Sequence, residues 1–196
     1  MKLHLVTAVV AAALFASAPS RAAVLVVGQG EPADCFQAAA AQTGGKLSSY
    51  RVGSALAHCN TALAGDLSYD DRTATLANRG ILQAAAGDID AAVADYNAAL
   101  SRNPDMADVY IDRGTAMLHD ARYEEARADF DHALKLGMEN PHIGYFDRGE
   151  AEEASGNLLA AYRDYSRARD LAPEFKPATL ELGRFHVIDR QVADGR

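Results

Sequence analysis

Arg79, Arg113 and Arg148 each stand sixteen residues before an aspartate: Asp95, Asp129 and Asp164. A guanidinium presents planar, paired donors, so a triplet of them could read anions such as phosphates or carboxylates. It could equally pair with a carboxylate on a facing helix, and a pattern that recurs in every unit serves the unit more readily than a single site. Structural Arg–Asp contacts are therefore the expectation. Cys35 and Cys59 are the only cysteines, and in an oxidising compartment they allow one intramolecular disulfide. Closing a loop of about 25 residues contributes roughly 3–4 kcal/mol on the chain-entropy account. The other reading is two buried thiols. No metal site is expected, because His58 adjoins Cys59, Cys35 is distant and no further ligands stand at finger-like spacing.

The remaining reactive types fall short of a catalytic arrangement. Glu150, Glu152 and Glu153 sit close together on one predicted helix and read as a solvated face, whereas paired acid/base carboxylates must oppose one another across a cleft. The chain has no His-Glu-x-x-His pair and no Gly-x-Ser-x-Gly elbow. Gly28-Gln29-Gly30 follows an apolar run and precedes a helix, imitating a dinucleotide fingerprint, but no acid occurs between Asp34 and Asp66 to hold a ribose. No catalytic residue, no cofactor-binding residue and no enzyme activity is predicted.

The elements that position these side chains follow from a repeat. Gly80, Gly114 and Gly149 stand 114 − 80 = 34 and 149 − 114 = 35 residues apart. At fixed offsets come Ala92, Ala126 and Ala161, then Tyr96, Phe130 and Tyr165, then Ala99, Ala133 and Ala168. Each unit is a helical hairpin that buries its apolar face by stacking on its neighbours. Helices are predicted over 71–86 and 89–101, 105–118 and 123–135, and 141–154 and 158–170. Asp88 serves as an N-cap, and Gly87, Gly137 and Gly156 act as stops or turns. A leading pair is predicted from about Pro32 to Gly44-Gly45 and over 50–63. Ala55, Cys59 and Ala62 repeat the spacing of Ala92, Tyr96 and Ala99, so the pair reads as a degenerate first hairpin. A last helix is predicted over 177–190, with Gly183 continuing the 34-residue step, and 191–196 as a frayed tail. Three full units (71–104, 105–138 and 141–173) thus lie between an N-terminal segment (23–70) and a C-terminal capping helix with its tail (174–196).

These residues resemble the tetratricopeptide repeat family: the glycines match its small position 8, the alanines its positions 20 and 27, the aromatics its position 24, and Pro104 and Pro173 its position 32. The middle unit departs from the pattern with Met138 at position 32, and Arg79, Arg113 and Arg148 occupy a position often held by leucine. The resemblance implies an all-α, right-handed α-α superhelix with a concave groove lined by first-helix positions 2, 5, 6 and 9. In this chain those are Ala74, Ala77, Asn78 and Ile81, then Asp108, Ile111, Asp112 and Thr115, then Ile143, Phe146, Asp147 and Glu150. Family members that clamp a terminal carboxylate need lysine, arginine and asparagine here; this set has no lysine or arginine and one asparagine. Ile111, Ile143 and Phe146 between acids would instead suit a segment with apolar anchors and basic flanks. Packing of Ile143 and Phe146 against the adjoining repeat is the competing reading.

Residues 1–22 read as a secretory signal peptide: Lys2, an apolar run over 5–16, and Ser20-Arg21-Ala22 as a small-residue cleavage site. The run is too short to span a bilayer comfortably, and no cysteine follows it to accept lipid. Removal takes away Lys2 and Arg21, leaving a net charge of (19 − 2) − 27 = −10, which disfavours nucleic acid and anionic membranes. The combined expectation is an exported, periplasmic or secreted interaction module for a protein or peptide. The rival is a homo-oligomer built through the repeats, the apolar stretch 24–27 and the terminal helix.

Overall fold

A computed structural model describes residues 4–8, 30–43 and 49–189. The cleavage site, the Gly28-Gln29-Gly30 turn without its last residue, the apolar stretch 24–27, Gly44-Gly45 and the tail 191–196 lie outside the described residues. The described residues form two compact units, one within 19–137 and the other within 1–18 and 138–196.

The first unit is three helical hairpins: α1 (Glu31–Thr43) with α2 (Ser49–Ala64), α3 (Tyr69–Ala86) with α4 (Ile89–Arg102), and α5 (Ala107–His119) with α6 (Tyr123–Leu136). The boundaries have local causes. Ser68 caps α3 by accepting from the Asp71 N–H, and Gly87 ends it in the left-handed conformation at φ 85°. Asp88 caps α4 through the Ala91 N–H at 3.2 Å, as its position predicted. Helix α5 begins two residues later than the periodicity predicted, because the Asn103 side chain accepts from the Asp105 N–H at 3.1 Å and holds a turn there.

In the second unit α7 (Pro141–Ala154) pairs with α8 (Leu158–Leu171), followed by α9 (Lys176–Leu182). The predicted last helix is shorter than expected. It stops at Leu182, and Phe185–Asp189 forms strand β2, which in the unprocessed chain pairs antiparallel with β1 (His4–Ala8), a segment of the predicted signal peptide, His4 opposite Asp189 and Ala8 opposite Phe185. The repeat spacing of Gly183 suggested a continuing helix, but the Val187-Ile188 pair is β-branched and favours an extended chain.

One contact repeats in all three full hairpins. A Cβ placed on Gly80 would lie 2.6 Å from the Tyr96 ring, one on Gly114 2.7 Å from Phe130, and one on Gly149 2.7 Å from Tyr165. The three rings are almost wholly buried, so the glycines are needed for the paired helices to close on them. In the leading hairpin Cys59 stands where these aromatics stand, and it is joined to Cys35 by a disulfide with Cα atoms 4.8 Å apart. The bridge is buried, and the Cys35 Sγ lies 4.0 Å from the Thr75 carbonyl oxygen on α3. The staple therefore joins α1 to α2 and also packs against the next hairpin.

Candidate partner-binding surface

The arginine triplet is structural. Arg79 donates to both carboxylate oxygens of Asp95 at 2.6 and 2.7 Å, Arg113 to both of Asp129 at 2.7 and 2.6 Å, and Arg148 to both of Asp164 at 2.8 and 2.6 Å. These forked pairs join the two helices of each hairpin, with the aspartates buried. The bond from Asp95 raises the Arg79 guanidinium further above its ordinary value despite burial acting the other way. Arg79 and Arg113 also reach the preceding hairpin: Arg79 Nη1 donates to Asn60 Oδ1 on α2 at 2.8 Å, and Arg113 Nη1 to Asn97 Oδ1 on α4 at 2.5 Å. Asn60 and Asn97 each directly follow the residue at the aromatic position, Cys59 and Tyr96. That shared place was the only signal for them, and its meaning depends on how one hairpin stacks on the next.

The predicted groove residues are mostly buried. On α3, Ala74, Ala77, Asn78 and Ile81 are buried; on α5, Ile111, Asp112 and Thr115 are buried while Asp108 is exposed. On α7 of the other unit, Ile143, Phe146 and Asp147 are buried and Glu150 is half-buried. Phe146 packs at 5.4 Å from the Tyr165 ring and 5.3 Å from the Phe175 ring, which is the packing role left open beside the groove role. Of the set, Asp108 offers the clearest accessible charge.

The reading of Glu150, Glu152 and Glu153 as a solvated face needs correction. Glu152 is buried and accepts from Asn157 Nδ2 at 2.7 Å. Glu153 accepts from the Tyr165 hydroxyl at 3.0 Å and from Arg184 Nη2 at 2.7 Å, and Arg184 also pairs with Glu181. Burial, together with the Glu153 and Glu150 carboxylates, pushes the Tyr165 hydroxyl far above the usual phenol range. It is a fixed hydrogen-bond donor tying α7 to α8. The partner that neutralises Glu153 arrives 31 residues later, beyond the reach of a helical-face pattern.

Among the described residues no helix is long and apolar enough to cross a membrane. Residues 78–141 match the tetratricopeptide repeat family. The chain is 32% identical over 95 residues to mouse tetratricopeptide repeat protein 12, covering 48% of this chain and 13% of that protein. It is 31% identical over 109 residues to human serine/threonine-protein phosphatase 5, covering 55% of this chain and 21% of that one. It thus spans 13% and 21% of the length of these two relatives. Among solved structures, MamA (RS-1 ArsTM double mutant) superposes with a TM-score of 0.64 at 18% identity, over 86% of this chain and 87% of that one. The second repeat domain of human RPAP3, solved in complex with the HSP70 peptide SGPTIEEVD, superposes with a TM-score of 0.56 at 25% identity, over 59% of this chain and 96% of that one. The glycine–aromatic contacts, the paired helices and these likenesses agree on helical-hairpin repeats of the tetratricopeptide type, which the family match places over residues 78–141.

Proposed function

We propose that this protein is an exported interaction module that binds an extended protein or peptide segment on the first-helix face of its repeats, at α3 and α5 in the first unit. The observation that carries the reading is the likeness to a repeat domain that holds a peptide. The chemistry of this face differs from what an acidic peptide needs. Among its predicted positions on α3 and α5 Asp108 is exposed and acidic, Asp112 is buried, and there is no lysine or arginine; on α7 Asp147 is buried and Glu150 half-buried. A segment with basic flanks is the complementary partner, with the charges selecting orientation and apolar side chains supplying affinity. Residues 1–22 and the Cys35–Cys59 bridge support action in an oxidising compartment outside the cytoplasm.

A photo-crosslinking residue placed at Asp108 tests the surface, with Asp90 on α4 as an exposed control on a second helix. A saturable adduct that forms from position 108 and not from position 90 supports the reading. Equal labelling from both positions, or none from 108, contradicts it. Export is tested separately by sequencing the N-terminus of the secreted or periplasmic protein, which is expected to begin at Ala23.

A further inference from the structure

Among the described residues, outside the repeats' ion pairs, one cluster joins an imidazole on α2 to two carboxylates on α1. Glu31 and Asp34 lie one turn apart at the start of α1, and His58 lies on α2, with His58 Nδ1 and Glu31 Oε2 2.8 Å apart. One donor atom from each of the three residues lies within 4.8 Å of the others. Donors around a tetrahedral ion with bonds of roughly 2.0–2.2 Å stand about 3.4 Å apart. A small side-chain rotation is enough to close the set. The backbone is already held: Asp34 adjoins Cys35 and His58 adjoins Cys59, so the disulfide fixes the two helices directly beside the donors. Glu31 and His58 are both part-exposed, at 43% and 44%, which gives an ion a path from solvent and leaves room for water to complete its coordination.

We propose that Glu31, Asp34 and His58 form a binding site for a divalent transition-metal ion of the zinc class. With both sulfurs engaged in the bridge, the donors are two carboxylate oxygens and one imidazole nitrogen, a set that suits a borderline ion better than a soft one. Cysteine and histidine spacing showed no sign of this site, because the carboxylates stand 24 and 27 residues before the histidine and only the hairpin brings them together.

The test is calorimetric titration of the oxidised, untagged full chain with zinc chloride, repeated on Glu31→Gln and His58→Ala. Saturable binding of one ion per chain is expected, weakened about tenfold or more by each substitution. Both side chains are part-exposed, and helicity measured by circular dichroism checks that the variants fold. Absence of saturable binding by the natural chain overturns the proposal and leaves Glu31 and His58 as a simple clamp between α1 and α2. Binding that both folded variants retain unchanged also overturns it, assigning the ion to other side chains.

Discussion

Arg113 shows how a single side chain holds the repeat. Its guanidinium grips Asp129 through two bonds within one hairpin and Asn97 through a third in the hairpin before. Replacing it by alanine leaves the Asp129 carboxylate, 9% exposed, without its cation, and breaking a buried pair in this way costs about 3 kcal/mol. Arg113→Ala is expected to lower the unfolding free energy from a urea titration by that order, with Arg113→Lys recovering only part because an ammonium cannot reproduce the fork. In a double-mutant cycle, Asp129→Ala added to Arg113→Ala costs much less than the sum of the single changes; simple additivity would mean that the bonds contribute nothing jointly. Gly114→Ala is destabilising by about 1–3 kcal/mol, since the new methyl meets Phe130 and the Ala126 carbonyl oxygen, while Phe130→Leu in the same chain recovers part of the loss. Ala121 works in the opposite sense: it holds a left-handed φ of 59°, so Ala121→Gly is expected to raise stability by about 0.5–1 kcal/mol in a urea titration. The sixteen-residue Arg–Asp spacing was legible because both partners belong to one hairpin. Asn60 and Asn97 were not, because their role depends on the stacking of successive hairpins.

Helix pairing in the leading hairpin depends on a covalent bond where the later hairpins use an aromatic ring against a glycine. Cys59 takes the place of Tyr96, Phe130 and Tyr165, and its bridge to Cys35 is buried between α1, α2 and α3. Reduction is therefore expected to act locally. Hydrogen exchange should accelerate in α1 and α2 while α5 and α6 keep their protection; an equal rise in all of these helices would show that the staple supports the unit as a whole. Ends of helices were readable where a cap or glycine acts within a few residues, as at Asp88, Gly87 and Gly137. They were misread where a tertiary partner decides. The 34-residue step carried the last helix through Gly183, yet α9 stops at Leu182 and Phe185–Asp189 is extended. Glu153 looked solvated until Arg184 and Tyr165 met it.

For the molecule as a whole, the fold was legible because small and aromatic residues recur at steps that a repeat alone explains. The candidate surface was less legible, since first-helix positions assigned to a groove by resemblance alone can be filled by packing, as Phe146 is. What distinguishes this chain is charge: acids at the accessible and half-buried first-helix positions, within a net charge of −8. The central claim is that these repeats bind a segment with apolar anchors and basic flanks. Fluorescence anisotropy with the full chain tests it most directly, using one labelled peptide of alternating leucine and lysine and a second in which glutamate replaces each lysine. Saturable binding of the basic peptide, lost as salt rises and weakened about tenfold or more by Asp108→Lys, is the predicted result. Preferential binding of the acidic peptide, or basic-peptide binding indifferent to Asp108→Lys, would contradict it.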